Sequence, residues 1–203
     1  MSLTYQHVFE PGTDPHTVPL LLLHGTGGNE HDLIPLGRQL APGAALLSPR
    51  GDVLERGAPR FFRRFAEGVF DLVDVEQRTH ALADFIATAA QRYAFDPSHL
   101  TALGFSNGAN MAASLLLLRP ESLSAAVLLR PMVVLEPKHV PNLRGKRVLL
   151  SSGRSDPLVP ADHPARLAEM FRSGGAEVTL ITHAAGHGLG PGDFALAKSL
   201  LDS

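Results

Sequence analysis

Short apolar runs recur along the chain, and each is followed by glycine or a polar residue. Runs that are apolar at nearly every position are typical of strands buried on both faces of a sheet. Such runs lie at 18–23, 44–47, 100–103, 125–129 and 148–150. A further segment, 177–182, alternates apolar and polar residues and predicts another strand.

Between these runs, apolar residues recur at the spacing of a helix with one buried face. The clearest stripe consists of Leu82, Phe85, Ile86 and Ala89. Further helices are predicted over 32–40, 109–118, 164–171 and 193–201. Strands and helices that alternate in this way predict an α/β fold with a mostly parallel central sheet and helices on both faces.

No linker, repeat or low-complexity tract divides the chain, so residues 1–203 are predicted to form a single domain. The segment 49–74 is the longest irregular stretch and is the only candidate for a partial lid. The connection between the strands near 129 and 148 is too short for a helical cap domain. An open, shallow site is therefore expected.

Composition excludes several classes of function. The net charge is −2 without a basic tract, so neither nucleic acid nor an anionic membrane surface is an expected partner. The apolar runs are too short to span a bilayer, and residues 1–7 lack the features of a signal peptide, which predicts a cytoplasmic protein. Cys is absent, which excludes disulfides and a thiolate nucleophile. His, Asp and Glu nowhere show the spacing of a metal site, so neither a metal nor a cofactor is expected.

Gly104, Ser106 and Gly108 form a G-x-S-x-G pattern between a predicted strand and a predicted helix. This is the context of a nucleophile elbow, a sharp turn that exposes the serine at the edge of the sheet. Side chains two residues before or after the serine would collide with the neighbouring strand and helix. The alternative is a serine that only caps the following helix.

A nucleophilic serine needs an acid and a histidine base, which follow it along the chain in that order. Asp156 comes just after a predicted strand, and His187 lies between two glycines in the loop after the last strand. Three alternatives stay open at this point: Asp156 as a turn residue, Asp162 as the acid, and His183 as the base. His183 falls at a strand end, where packing is the expected role.

A glycine-rich loop, 24–28, follows the first predicted strand. Its backbone can approach a substrate oxygen closely, so the N–H groups of Thr26 and Asn107 are the expected donors to an oxyanion. The competing interpretation is a phosphate cradle. The loop lacks the Gly-Lys-Ser/Thr ending of a Walker motif, and Glu30 stands where a dinucleotide-binding loop needs glycine.

Aromatic and cationic residues are interleaved at 59–65, and a short polar segment follows the strand ending at 129. Either group could line a substrate pocket and attract a negatively charged substrate. The expected pocket residues are Arg60, Phe61, Phe62, Arg130 and Met132. The alternatives are a loop that buries its phenylalanines and solvates its arginines, and a simple strand terminator at 130–132.

Together these motifs resemble the phospholipase/carboxylesterase family of α/β-hydrolases, and are most similar to its small bacterial carboxylesterase branch, related to the acyl-protein thioesterases. The segments that carry the resemblance are 23–30, 59–64, 104–110, 130–132, 153–157 and 186–187. The resemblance implies an α/β-hydrolase fold, a triad of Ser106, Asp156 and His187, and oxyanion donors at Thr26 and Asn107. It also implies metal-independent hydrolysis of carboxylic esters or thioesters.

Acyl-protein thioesterases typically carry Gln after the serine, whereas this chain has Asn107. The expected function is therefore a serine carboxylesterase that acts on small or short-acyl esters through an acyl-enzyme on Ser106. Thioesters, lactones and aromatic esters are alternative substrates. A small-molecule-binding protein that uses the same fold without catalysis is an alternative of another class. The sequence leaves a homodimer open.

Overall fold

A seven-stranded sheet runs through the middle of the computed structural model, which describes residues 3–202. In chain order the elements are β1 (His7–Glu10), β2 (Leu20–Leu23), α1 (Ile34–Leu40), β3 (Leu46–Pro49), β4 (Val53–Glu55), β5 (Ala58–Arg60), β6 (Arg64–Ala66), β7 (Val69–Phe70), α2 (Leu72–Tyr93), β8 (Thr101–Phe105), α3 (Asn107–Leu118), β9 (Ala125–Leu129), β10 (Arg147–Gly153), α4 (His163–Ser173), β11 (Glu177–His183) and α5 (Pro191–Leu201). Short 3₁₀ helices at Pro97–His99 and Pro120–Ser122 precede β8 and β9.

The sheet order is β1-β3-β2-β8-β9-β10-β11, and every neighbouring pair is parallel except β1 with β3. All four residues of β2 and all five of β9 are buried, because helices cover both faces of the sheet. The predicted mostly parallel sheet is confirmed. The antiparallel edge strand β1 was not predicted, because its sequence lacks a continuous apolar run.

The two faces of the sheet carry separate apolar clusters. Leu21 and Leu23 of β2 belong to a cluster with the buried faces of α2, α3 and α4, whereas Leu20 and Leu22 belong to one with α1 and α5. Successive side chains of a strand point to opposite faces, so one apolar strand supplies both clusters. The predicted stripe on α2 is buried in the first cluster. Helices on both faces are thus confirmed.

The segment 49–74 is not irregular, which corrects the sequence prediction. It holds two antiparallel hairpins, β4–β5 and β6–β7, before α2 begins at Leu72. Their strands have two or three residues each, too short to show a periodic pattern. By contrast, the connection 130–146 between β9 and β10 contains no helix or strand, in agreement with the prediction that a cap domain is lacking.

Within residues 3–202, no helix combines the length and apolar content needed to cross a bilayer. The first two residues of the segment 1–7, on which the expectation about a signal peptide rests, lie outside the described residues.

Candidate active site

The turn between β8 and α3 holds Ser106 in a strained backbone conformation. Its φ of 51° and ψ of −113° are unusual for a residue with a side chain, and such strain persists only where the surrounding structure enforces it. The Ser106 N–H donates to the Leu129 carbonyl of β9 at 2.9 Å, which ties the turn to the sheet. Among the described residues, the hydroxyl makes no capping hydrogen bond to α3. The arrangement is that of a nucleophile elbow rather than of a helix cap.

The two glycines that flank the serine leave no space for a side chain. A Cβ on Gly104 would lie 2.6 Å from the carbonyl oxygen of Gly108, at the start of α3. A Cβ on Gly108 would lie 2.0 Å from the carbonyl oxygen of Leu23, at the end of β2. The neighbours are backbone atoms, which cannot turn aside as a side chain can. Only glycine therefore lets α3 approach the sheet closely enough to form this turn.

The structure brings Ser106, His187 and Asp156 together at the carboxyl edge of the sheet. His187 Nε2 lies 3.0 Å from Ser106 Oγ, and His187 Nδ1 lies 2.7 Å from Asp156 Oδ2. Because a carboxylate only accepts hydrogen bonds, Nδ1 carries the proton and Nε2 is free to accept from the serine. This is the geometry that a serine nucleophile and its base require.

Asp156 is held by the backbone that follows it. Its Oδ1 accepts from the N–H of Leu158 at 2.9 Å and of Val159 at 3.3 Å, while the carboxylate is only 1% exposed.

The loop that carries His187 crosses directly over the end of β10, where a Cβ on Gly153 would lie 2.2 Å from the Gly186 carbonyl oxygen. The imidazole itself is 21% exposed, so it is reachable from solvent.

The alternative acid and base lie elsewhere. Asp162 precedes α4 on the surface and pairs with Arg166 of the same helix at 3.1 Å. His183 ends β11, and its Nε2 lies 3.6 Å from Asp193 Oδ1. Neither side chain lines the pocket that contains Ser106. The loop lengths in the sequence do not separate these candidates; the tertiary structure does.

His24 organises the glycine-rich loop, a role that sequence reasoning missed. The side chain is buried, and its Nε2 accepts from the Gly51 N–H at 3.0 Å while its Nδ1 lies 2.7 Å from the Gly25 carbonyl oxygen. These contacts require a neutral ring with the proton on Nδ1, and burial lowers the pKa of His24 accordingly. The only sign of this role in the sequence is that His24, a polar residue, directly follows the fully apolar strand β2.

The expected oxyanion donors meet at the pocket that contains Ser106. Asn107 is the first residue of α3, where backbone N–H groups have no acceptor within the helix. The Thr26 loop is anchored by the Gly27 N–H, which donates to the Pro59 carbonyl of β5 at 2.9 Å. The Asn107 side chain accepts from the Phe61 N–H at 2.8 Å, which joins α3 to the same hairpin.

The pocket at Ser106 has a volume of about 220 Å³. The residues that line it together with Ser106 are Thr26, Arg60, Arg64, Glu67, Phe70, Phe105, Asn107, Asn110, Met132, Leu158 and His187. Arg60 and Met132 thus line the pocket as predicted. Asn110, which sequence reasoning did not assign, accepts from the Met132 N–H at 2.8 Å and so places that residue.

Three of the predicted pocket residues lie elsewhere, which corrects the prediction. Phe61 and Phe62 are fully buried, where their rings pack against His24 and Phe70 at centroid distances of 4.8 and 5.6 Å. Arg130 is also fully buried, in contact with the His187 loop. The alternative of a loop that buries its phenylalanines is correct for Phe61 and Phe62. A run of aromatic and cationic residues does not determine which side chains of a short hairpin face the pocket.

The two arginines at the pocket form ion pairs with nearby carboxylates. Arg60 Nη1 donates to Thr26 Oγ1 at 2.6 Å, and its Nε lies 3.3 Å from Glu55. Arg64 binds the same Glu55 at 2.9 Å and also binds Glu67. The hydrogen bond from Arg64 lowers the pKa of Glu55 despite its partial desolvation, so the Glu55 carboxylate stays charged. The paired charges fix the two hairpins against the glycine-rich loop.

A larger cavity of about 620 Å³ lies near the amino end of β2, far along the sheet from Ser106. Its walls include Phe9, Tyr93 and Phe95 together with the loop 11–19. None of the predicted site residues contributes to it. Ser106 and His187 open instead to the smaller pocket. Across residues 3–202, no three His, Cys, Asp or Glu side chains are grouped as a metal site would require.

The comparison with protein families places this geometry among known hydrolases. The family model described as "Dienelactone hydrolase family" matches residues 18–191. A putative hydrolase of Bacillus subtilis (strain 168), MhqD, is 45% identical over 184 residues, which cover 91% of this chain and 91% of the relative.

Solved structures agree with this placement. A Bacillus cereus carboxylesterase superposes with a TM-score of 0.96 at 44% identity, covering 98% of this chain and 94% of that one. A carboxylesterase from Mesorhizobium loti has a TM-score of 0.87 at 36% identity, covering 94% of this chain and 90% of that one. The α/β-hydrolase fold and the resemblance to bacterial carboxylesterases are thereby confirmed.

Proposed function

Because the chain belongs to the dienelactone hydrolase family, we propose that it is a serine carboxylesterase that hydrolyses small or short-acyl esters through an acyl-enzyme on Ser106. Membership of the family and the carboxylesterase relatives make hydrolysis the reaction type. The observation that carries the serine mechanism is the 3.0 Å separation of His187 Nε2 and Ser106 Oγ. The chain has no Cys that could serve as the nucleophile instead.

The proposed reaction proceeds in two acyl transfers. His187 Nε2 takes the proton from Ser106 as Oγ attacks the ester carbonyl, and Asp156 stabilises the imidazolium that forms. His187 then gives this proton to the leaving alcohol, and the acyl group stays on Ser106. A water molecule, deprotonated by His187, attacks the acyl-enzyme; the bond between the acyl carbon and Ser106 Oγ breaks, His187 returns the proton to Oγ, and the acid is released. The protein returns to its starting state without a cofactor.

The negative charge that develops on the carbonyl oxygen is assigned to the N–H groups of Thr26 and Asn107. Losing one such donor typically costs about 10²–10³-fold in kcat. This assignment is supported by Thr26 and Asn107 both lining the pocket and by the position of Asn107 at the start of a helix, where backbone N–H groups lack an acceptor within the helix. Arg60 supports this arrangement, because its contact with Thr26 Oγ1 restrains the loop on the pocket side.

The size of the pocket supports small substrates. Its volume of about 220 Å³ is below the range of roughly 300–1,000 Å³ that holds drug-sized ligands. Small lactones are the second candidate substrates, because the family model that matches is the one described for dienelactone hydrolase. A lactone is a cyclic ester, so the same nucleophile and donors would open its ring.

Labelling with a fluorophosphonate probe tests the serine mechanism. The probe is expected to attach to Ser106, because its hydroxyl lies 3.0 Å from Nε2 of His187, whose other ring nitrogen is held by Asp156. Mass spectrometry of the labelled peptide identifies the site. Folded protein that remains unlabelled would contradict the proposal and favour a small-molecule-binding role instead.

A series of p-nitrophenyl esters of increasing acyl length tests the substrate size. We expect kcat/KM to be highest for acetate or butyrate and to fall steadily toward palmitate, because the pocket cannot enclose a long chain. Small lactones and thioesters measured alongside rank the alternative substrates. A maximum at long acyl chains would contradict the proposed short-acyl preference.

A further inference from the structure

Arg130 directly follows β9, and the backbone turns out of the strand at this residue. Its φ is 58°, a left-handed conformation that disfavours side chains, and its N–H donates to the Ser151 carbonyl of β10 at 2.8 Å. The residue before it, Leu129, accepts the N–H of Ser106. The long cationic side chain of Arg130 therefore enters the core directly after Leu129, the residue that binds the backbone of Ser106.

The guanidinium of Arg130 binds the loop on both sides of His187. Nε donates to the Gly186 carbonyl oxygen at 3.0 Å, and Nη2 donates to the Gly188 carbonyl oxygen at 2.9 Å. The residues bound are the immediate neighbours of His187 in the chain. One rigid planar group thus fixes the backbone from which the imidazole projects.

Asp193 in turn fixes the guanidinium. Its carboxylate accepts from Arg130 Nη1 at 2.7 Å and Nη2 at 2.9 Å, and both side chains are almost completely buried. It also accepts from Ser151 Oγ and from the Gly190 N–H at 2.8 Å. Burial by itself raises the pKa of Asp193, but these hydrogen bonds outweigh it and lower the pKa, which keeps the carboxylate charged.

We propose that Arg130, held by Asp193, is the positioning residue that keeps the His187 imidazole within reach of Ser106. All five donors of the guanidinium are engaged: one by Gly186, two by Gly188 and Asp193, and two by Asp193 and Ser151. A loop rich in glycine, such as 186–190, is otherwise free to adopt many conformations. This inference rests on the proposed function and adds to it a residue that does not touch the substrate.

The test uses Arg130→Lys, which keeps the positive charge but removes the planar guanidinium group. Arg130 reaches these partners from three separate nitrogens, whereas the three donors of a lysine ammonium all lie on one nitrogen. A lysine therefore cannot bind Asp193 and both loop carbonyls at the same time. We expect kcat for a short-chain ester to fall about 10–100-fold, as displacement of a catalytic group by about 1 Å does. KM is expected to stay unchanged, because Arg130 does not line the pocket. Arg119→Lys, at a surface arginine paired with Asp84 and Glu121, is the matched control and should change neither value.

Two further measurements separate positioning from a general loss of stability. The proton NMR signal of His187 Nδ1–H, which reports the hydrogen bond to Asp156, should weaken or broaden in Arg130→Lys while circular dichroism stays native. In a His187→Ala background, Arg130→Lys should cause no further loss of kcat, because the group that it positions is already absent. Asp193→Asn serves the same measurements if Arg130→Lys does not fold.

Native kcat together with a native Nδ1–H signal in folded Arg130→Lys would overturn the inference. An equal loss of kcat in the His187→Ala background would also overturn it, because the effect would then not pass through His187. Failure of the proposed function is distinguishable, since it appears as wild-type protein without esterase activity. In that case the NMR signal alone still decides whether Arg130 positions the imidazole.

Discussion

Replacing Ser106 with alanine is expected to lower kcat for ester hydrolysis by about 10⁶-fold, the size of effect seen when a nucleophilic serine is removed. The substitution removes the one oxygen that lies 3.0 Å from His187 Nε2. The turn itself should persist, because it depends on Gly104, Gly108 and the Ser106 N–H rather than on the hydroxyl. Steady-state kinetics with a chromogenic short-chain ester measure the loss, and thermal unfolding verifies that the variant is folded.

Ser199→Ala provides the matched control for this variant. Ser199 is exposed on α5, and within residues 3–202 its hydroxyl donates only to the Leu196 carbonyl of the same helix at 2.8 Å. Its replacement should leave kcat unchanged. Wild-type activity that persists in purified Ser106→Ala would contradict the serine mechanism, because among the described residues no other hydroxyl forms a hydrogen bond with His187.

Replacing Asp156 with asparagine is expected to lower kcat by about 10⁴-fold with little change in KM. Asparagine keeps an oxygen that can accept the N–H groups of Leu158 and Val159, so the loop should hold its shape. Its amide, however, can donate to His187 Nδ1, which favours the tautomer with the proton on Nε2. That nitrogen then cannot accept the proton of Ser106. Steady-state kinetics across a pH series measure the effect.

Asp162→Asn separates this role from a general effect of removing a carboxylate nearby in the sequence. Asp162 is exposed before α4 and pairs only with Arg166 among the described residues. We expect its replacement to leave kcat at the wild-type value. Comparable losses from both substitutions would show that the acid has been misassigned.

The sequence was sufficient for the fold class, because the apolar runs are long enough to separate buried strands from amphipathic helices. It was insufficient for segment 49–74, whose strands of two or three residues carry no readable period. The antiparallel strand β1 was missed for a similar reason. All four of its residues are only partly buried, so no apolar run marks them.

The sequence favoured Asp156 and His187 over Asp162 and His183, but it could not show that they meet Ser106. His183 and His187 both follow Asp156, and only the crossing of loop 186–188 over β10 directs one of them to Ser106. Arg130 was predicted to line the pocket, whereas it points inward to Asp193, sixty-three residues away in the chain. Distance along the chain carries no information about such a pair.

The sequence by itself determined what each segment is able to do: apolar runs must be buried, glycines permit close approach, and serine, aspartate and histidine supply the needed chemistry. The tertiary structure decided which of these groups meet. Strand order and loop crossings place side chains within hydrogen-bonding distance, and that distance is a property of the packed sheet rather than of any local pattern. For this reason the arginine that anchors the His187 loop was visible only in the folded chain.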